Sequence, residues 1–288
     1  MPYLKLLRLH HWVKNLFVLL PVPFALASGV PLDPTSLWLG LFAFSLLNSG
    51  VYAFNDVVDR QHDLHHPVKK LRPVASGEIT PRSALIVAVL LTGVALLLLG
   101  SGAVFSGAAS IGLVYLALNI FYSWWGRSIP VLDVLFLASF FFLRILLGCV
   151  LVAAEPSVLL LVGGTSIALL LALGKRRSEI QLQIGEQHRS SLDWYRTARM
   201  LWIIRIQAAI SAGLYTHYCF GSEMFLEGRW WWSLPPVYVG LVLYQHRILV
   251  LDDPRSPVEM LLKSTSIQLL ILVWAVTVVF GVGLIHQD

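Results

Sequence analysis

The residue types most able to do chemistry crowd into one short segment, Asn55-Asp56-Val57-Val58-Asp59-Arg60-Gln61-His62-Asp63, directly after an apolar run. At 100° per residue, Asp56, Asp59 and Asp63 project within about 60° of one another, with Asn55 beside that face. Stacked like charges cost about 0.2–0.5 kcal/mol per adjacent pair. They also sit at a helix C-terminus, where the macrodipole favours cations. A positive partner is therefore expected. Hard oxygen ligands in this pattern suit Mg²⁺ shared with the phosphate oxygens of a substrate. Asn55, Asp56, Asp59 and Asp63 are the candidate metal ligands, and the three aspartates the candidate catalytic groups. The competing readings are a solvated acidic loop, or a transition-metal site at His62, His65 and His66 beside Asp63; no second ligand cluster accompanies those histidines.

Cations follow at once, in His66-Pro67-Val68-Lys69-Lys70-Leu71-Arg72-Pro73. Two prolines keep this stretch out of a helix, so Lys69 and Arg72 can reach back toward the acids. Carboxylates for a metal followed by cations for phosphate form the pair that diphosphate recognition needs. A second basic group, Lys175-Arg176-Arg177, is followed by Glu179 and Gln183, which keep an i, i+4 face. Simple retention of positive charge on the cytoplasmic side also accounts for such clusters. No Walker-type loop, zinc spacing or CxxC is present.

The elements that must position these residues are membrane helices. Of 288 residues, 57% are hydrophobic and 13% charged, about half the charge of an ordinary soluble domain. That excludes a disordered chain, a secreted disulfide scaffold and an ordinary soluble enzyme. The net charge of +5 points to cytoplasmic loops, not to nucleic acid. Cys149 and Cys219 both lie in apolar runs and imply no disulfide. A membrane helix takes about 20 apolar residues, and such runs recur at 13–30, 36–54, 83–100, 103–122, 131–153, 157–174, 198–220, 232–250 and 266–285. The expected fold is an all-α integral membrane bundle of nine transmembrane helices, one domain over 1–288. Lys5, Arg8 and Lys14 ahead of a stretch ending Ala25-Leu26-Ala27 also resemble a signal peptide. With eight runs behind it, the first is read as an uncleaved span.

With the N-terminus inside, 18 of the 21 Lys and Arg fall on the cytoplasmic side, Arg229 outside, and Arg144 and Arg205 within spans. Both long polar loops are thus predicted to face the cytoplasm, in a multi-pass protein of the cytoplasmic membrane. Trp12, Trp124, Trp125, Trp194 and Trp230-Trp231-Trp232 sit near span ends as interfacial aromatics do. Arg144 lies about 16 Å into the fifth run. A buried Arg costs roughly 2.5–3.5 kcal/mol on insertion, so it is expected to face a cavity and contact a phosphate or an acidic neighbour; Asp133 is too distant along the helix. Arg205 is shallow enough to snorkel. Arg127 is read as a substrate contact or a helix-end anchor. The loop 252–259 receives no role.

The pattern Asn55-Asp56-x-x-Asp59-x-x-x-Asp63 resembles the first aspartate-rich motif of the UbiA superfamily of intramembrane prenyltransferases. Nine apolar runs with polar loops after the second and sixth resemble that fold, which implies a central cavity open to the cytoplasm. Trp12-Val13-Lys14-Asn15, His66-Pro67-x-Lys69-x-x-Arg72-Pro73, Tyr122-Ser123 and Gly174-Lys175-Arg176-x-x-Glu179 are similar to one branch, the decaprenyl-phosphate phosphoribosyltransferases. Where the quinone- and haem-type branches carry a second aspartate-rich motif, this sequence has Lys175, Arg176 and Arg177.

That resemblance implies Mg²⁺ as cofactor, and 5-phosphoribosyl 1-diphosphate and a polyprenyl phosphate as substrates. It implies substrate contacts at Lys14, Asn15 and Asn55, at His66, Lys69 and Arg72, at Tyr122 and Arg127, at Arg144, and at Lys175, Arg176 and Glu179. The expected partners are these substrates and membrane lipid; a homo-oligomer is compatible with the sequence. The expected reaction is attack of the lipid phosphate on ribose C1 with loss of diphosphate. The rivals are a true prenyltransferase using a prenyl diphosphate, and a transporter or lipid-binding protein. Transporters carry charges at the bilayer midplane, whereas these acids gather at one edge.

Overall fold

The computed structural model describes residues 1–65, 68–101, 107–182 and 191–283, the Ser191 side chain excepted. Among these there is no strand. In chain order the helices are α1 (Pro2–Leu7), α2 (Val22–Ala27), α3 (Pro34–Val58), α4 (Arg60–Leu64), α5 (Pro81–Leu99), α6 (Ala108–Trp124), α7 (Leu132–Leu151), α8 (Val158–Gln181), α9 (Ser191–Tyr195), α10 (Ala198–Gly221), α11 (Leu234–Leu249), α12 (Pro257–Lys263) and α13 (Thr265–Gly281). Short 3₁₀ turns cover Leu9–Leu19, Lys69–Leu71 and Gly126–Ser128.

Local chemistry sets the starts. Asp33 caps α3 through Thr35 N and Ser36 N, with Pro34 in the first turn. Thr80 caps α5 ahead of Pro81, and Ser157 caps α8. Ser256 and Glu259 form a capping box on α12. Each later apolar run becomes a helix close to its expected bounds. Helix α3 extends past the expected 54 to Val58 and carries Asp56 on its last turn.

The first run departs from a continuous span over 13–30. It is 3₁₀ over Leu9–Leu19, then the short α2, because Pro21 and Pro23 lack the donors that a continuous α-helix requires. Side chains hold the segment against α3 instead: Trp12 Nε1 donates to Ser49 Oγ at 3.0 Å and Asn15 Nδ2 to Ser45 Oγ at 2.8 Å. Against α7 it packs backbone to backbone. A Cβ at Gly148 would lie 2.1 Å from the Val18 carbonyl, so only glycine permits that approach.

Among the described residues, α3, α5, α7 and α8 are long and apolar enough to cross a membrane, and α12 with α13, bent by 84°, would form a fifth span. Helix α6 is apolar but shorter. One core joins α3, α6 and α7 around Phe44, Leu47, Leu143 and Leu147. Another joins α8, α10 and α11 around Leu170, Ile204 and Ile248. Outward apolar side chains such as Ile86, Val89, Leu97 and Val242 stay exposed, as expected where the solvent is lipid.

Candidate active site

Helix α3 runs almost unbroken into α4, since Asp59 N bonds to Asn55 O and Asp63 N to Asp59 O. The three aspartates therefore stand on neighbouring turns, and each is met by an arginine. Asp56 is 1% exposed; its Oδ1 accepts from Arg8 Nη2 and lies 3.4 Å from Arg72 Nη1. The same Arg72 nitrogen donates to Asp63 Oδ2 at 2.6 Å. Asp59 accepts from Arg127 Nη1, and Asn55 Oδ1 from Ser123 Oγ at 2.8 Å.

The expectation of three acids gathered as one ligand set is not met: among the described residues no three His, Cys, Asp or Glu converge as metal ligands. The positive partner that the stacked carboxylates demand is supplied by guanidinium groups. Two of the acids do converge, on Arg72 Nη1. Asp56 Oδ2 is buried without a hydrogen-bond partner, which leaves an acceptor in want of a cation or donor. This hard-oxygen pair fits Mg²⁺ held by one or two carboxylates, with water and phosphate completing the shell. Asp59 and Asn55 are turned to Arg127 and Ser123.

The other expected residues divide. Lys14 lies 6.0 Å from the Tyr52 ring centroid, and Arg8 5.1 Å from the same ring. Burial and the positive fields of Lys14, His10, Arg8 and Lys175 push His11 down to about 2. His11 is thus a neutral imidazole in a region where cations from two parts of the chain, the N-terminal segment and the end of α8, act together. Lys175 sits 4.0 Å from Glu179. Lys69 belongs to a 3₁₀ turn. The Tyr122 ring packs on Phe136 and Phe140. His66 lies outside the described residues.

Arg144 corrects the sequence reading. It is 2% exposed, and among the described residues its partners are neutral groups, not an acid. Its Nε donates to Asn15 Oδ1 at 3.0 Å, Nη1 to Phe140 O at 2.8 Å, and Nη2 to Asn48 Oδ1 at 2.6 Å and Tyr115 OH at 3.2 Å. The rings of Phe44, Tyr115 and Phe141 surround the guanidinium within 5.5 Å. Neutral acceptors and π-faces replace the hydration that a buried cation loses. Asn15 is accordingly a partner of Arg144 and Ser45, itself 2% exposed.

Arg176 is another correction. It is wholly buried, with Nη1 donating to Glu179 Oε2 at 2.5 Å and Nε 3.4 Å from Asp133 Oδ2. Tyr195 OH donates to Asp133 Oδ1 at 2.5 Å and accepts from Val131 N at 2.8 Å. Arg177 and Gln181 both donate to Asp252 Oδ1, which ties the loop 252–259 to the end of α8. Of the three cations, Lys175 has the most exposed side chain and the longest ion pair, 4.0 Å to Glu179.

Two residues escaped the sequence reading. Arg8 was counted only as N-terminal charge, and no motif could place it on Asp56. Ser123 was noted beside Tyr122, yet it is the hydroxyl that reaches Asn55.

The model of the UbiA prenyltransferase family matches residues 15–267. The chain belongs to this family. It is 28% identical to the decaprenyl-phosphate phosphoribosyltransferase of Corynebacterium glutamicum, over 97% of this chain and 86% of that one. It is 29% identical to the protein of the same name from Mycobacterium tuberculosis, over 95% and 92%. A solved UbiA homologue from Archaeoglobus fulgidus, bound to GPP and Mg²⁺, superposes with a TM-score of 0.75 at 19% identity, covering 98% of each chain. The fold of this family member is therefore UbiA-like.

Proposed function

We propose that this protein transfers the 5-phosphoribosyl group of 5-phosphoribosyl 1-diphosphate to a polyprenyl phosphate, releasing diphosphate, in a Mg²⁺-dependent reaction. The observation that carries the reading is nearly full-length similarity to two proteins named for that transfer. The cation content of the site supports it. Arg8 and Arg72 meet the two carboxylates, and Lys14 and Lys175 act with Arg8 on His11, positive charge for a diphosphate, a sugar phosphate and a lipid phosphate.

The chain's own residues do most of the work. When bound, Mg²⁺ supplies charge neutralisation and Lewis acidity to the diphosphate, held by Asp56 and Asp63. Arg72 lies between those carboxylates and turns to the phosphates of the donor. Lys14 and Lys175 balance the remaining phosphate charge. A phosphate oxygen of the lipid attacks ribose C1; the C1–O bond to diphosphate breaks, and diphosphate leaves with the electron pair. The nucleophile is already an anion, so no residue need act as base. Catalysis comes from positioning and charge stabilisation.

In the same reading the chain is one nine-span domain of the cytoplasmic membrane, with the N-terminus and both polar loops inside. The GPP in the Archaeoglobus fulgidus homologue favours a second reading, transfer of a prenyl group from a prenyl diphosphate. The deciding experiment offers purified protein both donors, with and without Mg²⁺, and identifies the lipid product by mass. A phosphoribosylated lipid, formed only with Mg²⁺, is expected; a prenylated acceptor alone would replace the first reading with the second.

A further inference from the structure

We propose that the outward face at the start of α10 binds the head group of an anionic phospholipid, through Arg199 and Arg205 on either side of Trp202. The site stands apart from the transfer reaction; it rests on α10 being a membrane span, as read above. Helix α10 buries Met200, Ile204, Ala208 and Ser211, and Ser211 bonds to Ser166 of α8 at 2.8 Å. Trp202, two residues from both Met200 and Ile204, points away from that packed face. It is 63% exposed. Arg199, Arg205, Ile206 and Ile210 are exposed as well.

A cation on this face must find its anion outside the protein. Among the described residues neither Arg199 nor Arg205 takes part in a hydrogen bond or an ion pair. The Arg205 guanidinium lies 5.2 Å from the centroid of the Trp202 ring. Arg205 is seven residues into α10, about 10 Å along its axis, where an unpaired arginine facing hydrocarbon is costly. Side chains on a helix lean toward its N-terminus, and Trp202 is one turn back in that direction. The guanidinium is therefore drawn to the head-group level, where tryptophan also settles. Arg199 stands one turn nearer the end of the helix. Arg196, beyond it, is 3.9 Å from Asp193.

This end of α10 is on the side of the candidate active site. Tyr195, three residues ahead of the helix, donates to Asp133, which lies 3.4 Å from Arg176 near the end of α8. The lipid thus belongs to the leaflet on that side. Charge selects the occupant. Two guanidinium groups flanking an indole suit a phosphate that carries net negative charge, whereas a phosphatidylcholine head group cancels its phosphate with its own ammonium. A second copy of this chain in a two-fold contact would set arginines against arginines. Free phosphate lacks the acyl chain that Ile206 and Ile210 cover.

The test uses full-length protein in phosphatidylcholine vesicles that contain diazirine-tagged phosphatidylglycerol or, separately, diazirine-tagged phosphatidylcholine, with labelled peptides read by mass spectrometry. Over 196–210, labelling of wild type by phosphatidylglycerol should exceed that by phosphatidylcholine. It should fall about fivefold for each arginine removed in Arg199→Gln and Arg205→Gln. The double variant Arg199→Lys/Arg205→Lys keeps the charge and should keep most of the labelling. Arg229, 5.1 Å from the Trp232 ring, is a like pair in the turn that follows α10, and Arg229→Gln should leave the labelling of 196–210 unchanged. Equal labelling by both lipids, no loss in Arg199→Gln/Arg205→Gln, or displacement by inorganic phosphate would overturn the head-group site. Labelling of 202–210 by neither lipid would overturn the membrane placement of α10, and the site with it.

Discussion

Arg72 donates to Asp63 at 2.6 Å through the same nitrogen that lies 3.4 Å from Asp56. One guanidinium therefore bridges two buried carboxylates at the point where the last turn of α3 passes into α4. A divalent ion between two acids and a phosphate would make the same electrostatic statement with a higher charge. In the proposed reaction Mg²⁺ would draw on the carboxylates that Arg72 now neutralises, and the donor phosphates would give Arg72 another anion to face.

Asp56→Ala and Asp63→Ala should each lower Mg²⁺-dependent transfer by about 100-fold or more, whereas Asp59→Ala, which removes only the pair with Arg127, should lower it less. The check is the initial rate against Mg²⁺ concentration, with thermal unfolding followed in parallel. Equal turnover by wild type and the Asp56 and Asp63 variants would remove this pair from the reaction.

Arg144 should prove structural. Replacing it with Ala leaves the buried Asn15 Oδ1 without its donor, at about 1–3 kcal/mol, and takes from Asn48 Oδ1 and the Phe140 carbonyl a second hydrogen bond. A fall in melting temperature of many degrees is expected. Arg144→Lys should recover only part of it, since an ammonium cannot reach three directions from one plane. A melting temperature equal to that of wild type would refute the assignment.

The acids and their nearest cation were legible in the sequence because they are local. A period of three to four residues puts Asp56, Asp59 and Asp63 on neighbouring turns, and Arg72, nine residues from Asp63, returns to it. Arg8 and Arg127 were not legible as partners, lying 48 and 68 residues from the acids they meet. Arg144 was read correctly for depth and wrongly for company. A sequence shows that a cation is buried, but not that two amides and a phenol from other segments, with a carbonyl one turn back on α7, will accept its hydrogen bonds. The nine apolar runs gave the helices. The broken first run needed the observation that Asn15 and Trp12 bond sideways to α3 instead of along their own backbone.

The turn into α7 stores strain that a substitution should release. Val131 has φ 66°, and Leu132 N bonds to Pro130 O at 2.8 Å across it, a γ-turn that a β-branched residue adopts at a cost. Tyr195 OH holds the Val131 amide in place. Val131→Gly should raise stability by about 1 kcal/mol, and Tyr195→Phe should lower it by about 1–3 kcal/mol through the unpaired amide and Asp133 oxygen. Denaturation midpoints in a single detergent check both signs.

His11 should make the protein sensitive to mild acid. Its folded pKa is pushed down to about 2, by burial first and then by Lys14, His10, Arg8 and Lys175, against an ordinary value of 6.5. The unfolded chain thus binds a proton that the folded one refuses. Stability is complete above the unfolded value and declines as pH falls below it, continuing until the folded value is reached. Between pH 6.5 and pH 5 the loss from this group is roughly 2 kcal/mol, at 1.36 kcal/mol per unit. His11→Gln keeps a polar planar group but has nothing to titrate, so its stability should stay nearly level over that interval. Melting temperatures at a series of pH values decide the matter: parallel profiles for wild type and variant would mean that His11 is not the group that titrates.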